Sequence, residues 1–168
     1  KCTNINHEAT LKDWEDHLTT LFPQARLKKY IEIRSMDACN WDLICSQPAF
    51  WIGIFYNDEI SDKVREITED WTNEDRYYLN QRVPVEGLQT KFKQKKLIVF
   101  AQELYELSKK GLQKRNILSK NDEFDESIHM KELENNLEQG FSPADCLIKK
   151  FNTSWNKSIK PIYKDFIF

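Results

Sequence analysis

Five residues, Tyr30-Ile-Glu-Ile-Arg34, interrupt a chain whose apolar residues otherwise recur at helical spacing. Ile31 and Ile33 alternate with Tyr30, Glu32 and Arg34. A period of two with β-branched residues at the apolar positions reads as a strand with one face in the core. The opposite face then carries a carboxylate and a guanidinium two residues apart, pointing the same way. A lone strand cannot satisfy its own backbone N–H and C=O groups, so its sheet neighbours are expected in sequence outside this chain. Such a charge pair is either a solvated ion pair or part of a site, and the pattern alone does not choose.

Everything around the strand reads as helix, in keeping with only four glycines and five prolines in 168 residues. Thr10 with Asp13 caps a helix through Leu11, Trp14, Leu18 and Leu21, ending near Phe22 where Pro23 stops it. Gln24 to Lys29 leads into the strand. Asn40 caps a helix over Trp41, Leu43, Ile44 and Cys45, and Ser46-Gln-Pro48 starts a second one carrying the apolar run from Ala49 to Tyr56. That run is apolar all round and is expected in the interior. Ile60, Val64, Ile67 and Trp71 mark the next helix, and Thr72 with Asp75 opens another, broken at Val83-Pro-Val-Glu-Gly87. A loop through Thr90 and Lys91 precedes a long amphipathic helix on Leu97, Phe100, Ala101, Leu104 and Leu107, ending near Gly111 or a little beyond. Leu133 and Leu137 give a short helix closed by Gly140, and Ser142-Pro-Ala-Asp145 starts one that reaches about Phe151. The aromatic-rich end from Trp155 to Phe168 is expected to pack back on the helices.

Composition excludes several classes. Apolar content of 40% and charged content of 31% are those of a globular domain. A net charge of −2 gives no electrostatic case for nucleic acid or an anionic membrane. The longest apolar run is far too short for a membrane span. Cys2, Cys39, Cys45 and Cys146 show no metal-ligand spacing with the three histidines, and reduced thiols are expected. The acidic residues Asp122, Glu123, Asp125 and Glu126 read as a solvated loop rather than a metal site. The opening residues, without an initiator Met or a signal peptide, read as the interior of a longer chain.

The run His17-Leu-Thr-Thr-Leu-Phe-Pro-Gln-Ala-Arg-Leu-Lys-Lys-Tyr-Ile-Glu-Ile-Arg34 resembles the signature of plant-type glutamate–cysteine ligases, which reads close to H-L-T-T-x-F-P-E-V-R-L-K-R-Y-x-E-M-R. The resemblance continues through Cys45-Ser-Gln-Pro-Ala-Phe-Trp-Ile-Gly53, Asp70-Trp-Thr72, Val83-Pro84, Gly140-Phe-Ser-Pro-Ala-Asp145 and Ser158-Ile-Lys-Pro-Ile-Tyr163, and so covers nearly all of the chain. Gln24 and Ala25 stand where that family has Glu and Val, and Ser35-Met-Asp37 where it has Gly-Ala-Asp. Tyr-Ile-Glu-Ile-Arg-Ser-Met-Asp is also similar to the bacterial branch, which carries I-E-V-R-S-L-D.

The resemblance implies an α+β architecture: the mainly helical C-terminal portion of a glutamine-synthetase-like fold. Residues 1–168 would form one piece without internal boundary, giving one or two strands to an antiparallel sheet completed by upstream sequence. It implies ATP-dependent joining of the glutamate γ-carboxyl to the amino group of cysteine, with Mg²⁺ as cofactor, ATP as co-substrate, and glutamate and cysteine as the other partners. Glu32 would be a Mg²⁺ ligand. Arg34 would be catalytic, holding the transferring phosphoryl group, and Arg26 would bind phosphate or a substrate carboxylate. Lys28 has a lesser claim, and Tyr30 and Trp51 are expected in the core. Cys45 matches a cysteine that in plant members can pair with one upstream; here a buried thiol is the simpler reading. The compartment implied is the cytoplasm, or the plastid in a plant, and the chain by itself is expected to be inactive. The alternatives are a sibling carboxylate–amine ligase using another amine, and a helical interaction module in which Glu32 and Arg34 form only an ion pair.

Overall fold

A computed structural model describes residues 8–37, 39–121 and 123–165. The chain falls into two compact units, Lys1–Asp37 and Ala38–Phe168. Cys2, Asp122 and the last three residues, on which expectations were placed, lie outside the described residues.

In the first unit, α1 (Leu11–Thr19) begins at the expected cap: the Thr10 side chain accepts from the Asp13 N–H and the Asp13 carboxylate accepts from the Thr10 N–H. It ends a turn earlier than the spacing implies, with the Thr20 N–H closing on the His17 and Leu18 carbonyls. Two three-residue strands follow, β1 (Ala25–Leu27) and β2 (Ile31–Ile33), paired antiparallel with Arg26 opposite Glu32 and Leu27 opposite Ile31. Two expectations are corrected here. The strand finds a sheet neighbour within this chain, because the segment leading into it is itself extended. Its apolar face is also the open one: Leu27 is 82% and Ile31 65% exposed, and no residue of α1 is buried. Strands this short offer too little apolar area to close over anything, while the long side chains of the other face shield one another. Tyr30, expected in the core, stands exposed at the hairpin tip.

The second unit is built on two crossing helices, α2 (Trp41–Phe55) and α5 (Leu97–Arg115). At the crossing the backbones come so close that a Cβ on Gly53 would strike the Ser108 carbonyl, and one on Gly111 the Gly53 carbonyl. The Ser108 hydroxyl donates to the Phe50 carbonyl at 2.7 Å, satisfying a polar group the crossing buries. Around it Ala49, Tyr105, Leu112, Met130 and Leu137 form the core.

Between these helices run α3 (Asp58–Thr68), α4 (Asn73–Glu86) and a two-residue hairpin of β3 (Lys91–Phe92) with β4 (Lys95–Lys96). After a 3₁₀ turn over Glu126–Met130 come α6 (Lys131–Gln139), α7 (Pro143–Asn152) and α8 (Ile162–Asp165). Caps at Asn40, Thr72 and Ser142 form as the side-chain types predict, and Gly140 closes α6 with φ 69°.

Pro48 does not restart a helix but lies inside a continuous one, and Pro84 likewise lies inside α4, which ends within the stretch expected to break it, residues 83–87. A proline there removes one i→i−4 hydrogen bond, which tertiary burial of Ala49, Gly53 and Ile54 outweighs in α2. In α4 the break falls at Gly87, in a left-handed conformation with φ 55°. Of the apolar run, Phe55 and Tyr56 are exposed and Trp51 is half-buried against the Phe55 ring. The loop expected at Lys91 holds β3. In the aromatic-rich end Trp155 is buried, its Nε1–H donating to Asp165 Oδ2 at 3.0 Å within the same segment, whereas Ile159 and Tyr163 are exposed rather than packed on the helices.

Candidate active site

The polar face of the first hairpin gathers the three residues singled out in the sequence. Antiparallel register sets Arg26 directly across from Glu32, and the two-residue step along β2 puts Arg34 on the same face. Two backbone bonds hold the frame: Lys28 N–H donates to the Tyr30 carbonyl at 2.8 Å across the turn, and Arg34 N–H to the Gln24 carbonyl at 2.8 Å at the open end.

The two arginines hold Glu32 unequally. Arg26 brings Nε and Nη2 to one oxygen, Glu32 Oε2, at 2.8 and 2.7 Å. Arg34 reaches the other, Oε1, through Nη1 alone at 3.2 Å. Among the described residues the hydrogen bonds of the Arg34 side chain are confined to that nitrogen, so its Nε–Nη2 edge is uncommitted. The Arg34 guanidinium sits over the Phe22 ring, 5.1 Å from its centroid. All three polar side chains are partly screened, Arg26 most with 17% of its side chain exposed.

The hydrogen bond from Arg26 holds the Glu32 carboxyl below its ordinary value, against a smaller opposing effect of desolvation; the charges of Arg26, Arg34 and Lys28 act in the same direction as the bond. Glu32 is therefore ionised, and two guanidiniums face one carboxylate. The surplus positive charge and the open guanidinium edge suit the cluster to binding an oxyanion such as phosphate.

A Mg²⁺ ion is the cofactor the family resemblance implies. Glu32 supplies one hard, ionised oxygen donor of the type Mg²⁺ takes, and sites for this ion commonly use one or two carboxylates with phosphate oxygens and water. In residue type the cluster fits as part of such a site. It is not a full protein cage, since no group of three or more His, Cys, Asp or Glu that could hold a metal occurs among the described residues. Cys39, Cys45 and Cys146 are thiols, all partly buried, and Cys39 Sγ accepts from Gln47 Nε2 at 3.4 Å.

Sequence reasoning missed the strand β1 and the ring of Phe22. Both depend on the hairpin closing, and its turn of Lys28, Lys29 and Tyr30 contains none of the usual turn residues.

Comparison with known proteins agrees with the motif. Residues 2–165 match the profile of glutamate-cysteine ligase family 2. Glutamate–cysteine ligase A, chloroplastic, of Oryza sativa subsp. indica is 38% identical over 159 residues, which are 95% of this chain and 31% of that protein. The chloroplastic glutamate–cysteine ligases of Solanum lycopersicum and Arabidopsis thaliana are 38% and 35% identical, over 95% and 93% of this chain and 29% and 28% of theirs. The chain thus spans about a third of the length of these relatives.

Proposed function

This chain belongs to glutamate-cysteine ligase family 2, and on that premise we propose that it contributes to ATP-dependent ligation of the glutamate γ-carboxyl to the amino group of cysteine. That reaction is the first step of glutathione synthesis. The observation that carries the reading is the Arg26–Glu32–Arg34 cluster, assembled on one hairpin face inside the stretch that carries the family signature.

A carboxylate is a poor electrophile, so the reaction runs in two displacements. A γ-carboxyl oxygen of glutamate attacks the γ-phosphorus of ATP and ADP leaves, giving γ-glutamyl phosphate. The cysteine nitrogen then attacks the acyl carbon and inorganic phosphate leaves, carrying that former carboxyl oxygen; the nitrogen gives up a proton. The first displacement brings anion to anion, and the chain's part is to offset this charge. Arg34 binds the transferring phosphoryl group through its open edge, with its charge permanent at any working pH. Arg26 keeps Glu32 in place with Nε and Nη2 and offers Nη1 to a phosphate or substrate carboxylate. Glu32 would offer one carboxylate oxygen to Mg²⁺, which would supply neutralisation of phosphate charge there.

The relatives are chloroplastic enzymes, which supports a plastid compartment. No helix of the described residues is long and apolar enough to cross a membrane.

The test uses the full-length protein with glutamate labelled with ¹⁸O in its γ-carboxyl group. Label appearing in the released phosphate supports the acyl phosphate route; unlabelled phosphate refutes it.

A further inference from the structure

The geometry points to Phe22 as a positioning residue for Arg34, setting the plane of its guanidinium so that the Nε–Nη2 edge meets an incoming phosphoryl oxygen pair. The inference rests on the phosphoryl-transfer reading above and adds a residue to it.

Arg26 needs no such help, because two of its nitrogens are fixed on Glu32. Among the described residues Arg34 has one side-chain hydrogen bond, 3.2 Å long, and a single contact at Nη1 leaves the guanidinium free to turn about it. A second contact is what fixes the plane, and the Phe22 ring supplies it from the face, 5.1 Å from Cζ. An aromatic face attracts the cation without occupying any N–H, so the donors stay directed outward in the guanidinium plane, where bidentate phosphate contacts form.

Burial does not account for the ring's place, since Phe22 is 75% exposed. Its position follows from the backbone: the Gln24 carbonyl accepts from the Arg34 N–H at 2.8 Å, pinning the segment just after Phe22 to the base of Arg34. Pro23 between them fixes one φ angle and limits the freedom of that link.

Steady-state kinetics of the full-length protein with Mg·ATP, glutamate and cysteine test the assignment on Phe22→Leu and Phe22→Tyr. Phe22→Leu is expected to lower kcat/KM for ATP roughly three- to fivefold, the range for an exposed cation–π contact. The KM for cysteine and the thermal unfolding midpoint should stay at wild-type values, and Phe22→Tyr, which keeps a ring face, should restore kcat/KM. An unchanged kcat/KM in Phe22→Leu, or a loss in Phe22→Tyr equal to that in Phe22→Leu, overturns the positioning role while leaving the ligase reading intact. Wild-type protein that releases no ADP overturns the ligase reading itself, and the inference with it.

Discussion

Arg26 and Glu32 face one another across a hairpin of three-residue strands, and two guanidinium nitrogens close on one carboxylate oxygen at 2.8 and 2.7 Å. A fully exposed pair contributes only about 0.2–1 kcal/mol to stability. This one is partly screened, and its carboxylate is shared with a second arginine. Its consequence is therefore organisational: it fixes Glu32, and Glu32 in turn holds Arg34 through Nη1, leaving the Nε–Nη2 edge of Arg34 open.

The two arginines should fail differently. Arg34→Lys removes the fork proposed to bind the transferring group, and kcat is expected to fall on the order of 10²-fold, as for loss of one transition-state contact. Arg26→Lys keeps a charge but cannot bring two nitrogens to Glu32, and a rise in KM for ATP or glutamate of about tenfold is expected. Steady-state kinetics of the two variants separate these outcomes; equal loss of kcat in both would contradict the division of roles.

The α2–α5 crossing should tolerate no side chain. Gly111→Ala would drive a Cβ into the Gly53 carbonyl, and Gly53→Ala one into the Ser108 carbonyl, both of them backbone oxygens. Each is expected to cost about 3 kcal/mol, the upper part of the range for overpacking. Denaturant unfolding measures this directly, and an unchanged midpoint would show that the helices can move apart.

Alkaline pH should loosen the same core. Burial pushes the Tyr105 phenol up to about 12, whereas an unfolded tyrosine ionises near 10.0. The unfolded chain therefore loses this proton first. The stability tied to Tyr105 is fully present below pH 10 and is lost as pH rises toward 12. Lys109, raised mainly by its hydrogen bond to Glu134, adds a loss of the same sign. Tyr105→Phe should flatten the fall in unfolding midpoint across this window; an unaltered slope would contradict the assignment.

The legible parts of the fold were those decided within a few residues. The caps at Thr10, Asn40, Thr72 and Ser142 and the stop at Gly140 depend on local hydrogen bonding and backbone freedom, and all form. Pro48 misled because tertiary burial, invisible in a local window, holds α2 through a missing bond, whereas the break expected over residues 83–87 falls at the last residue of that stretch. At the hairpin the alternation was legible, and it correctly put Glu32 and Arg34 on one face. Which face lies open was not, because it turns on how three long polar side chains cover one another. The cross-strand partner Arg26 was noticed by its motif, but its contact with Glu32 required a turn that the sequence does not advertise.

The role proposed for this hairpin face is phosphoryl transfer in a glutamate–cysteine ligase. ADP release by the full-length protein from Mg·ATP and glutamate, with and without cysteine, tests it most directly when wild type is set beside Glu32→Gln, a nearly isosteric change that removes the charge. Release is expected to depend on cysteine in the wild type and to fall on the order of 10²-fold in Glu32→Gln. Release that ignores cysteine, or a Glu32→Gln variant as active as the wild type, would contradict it.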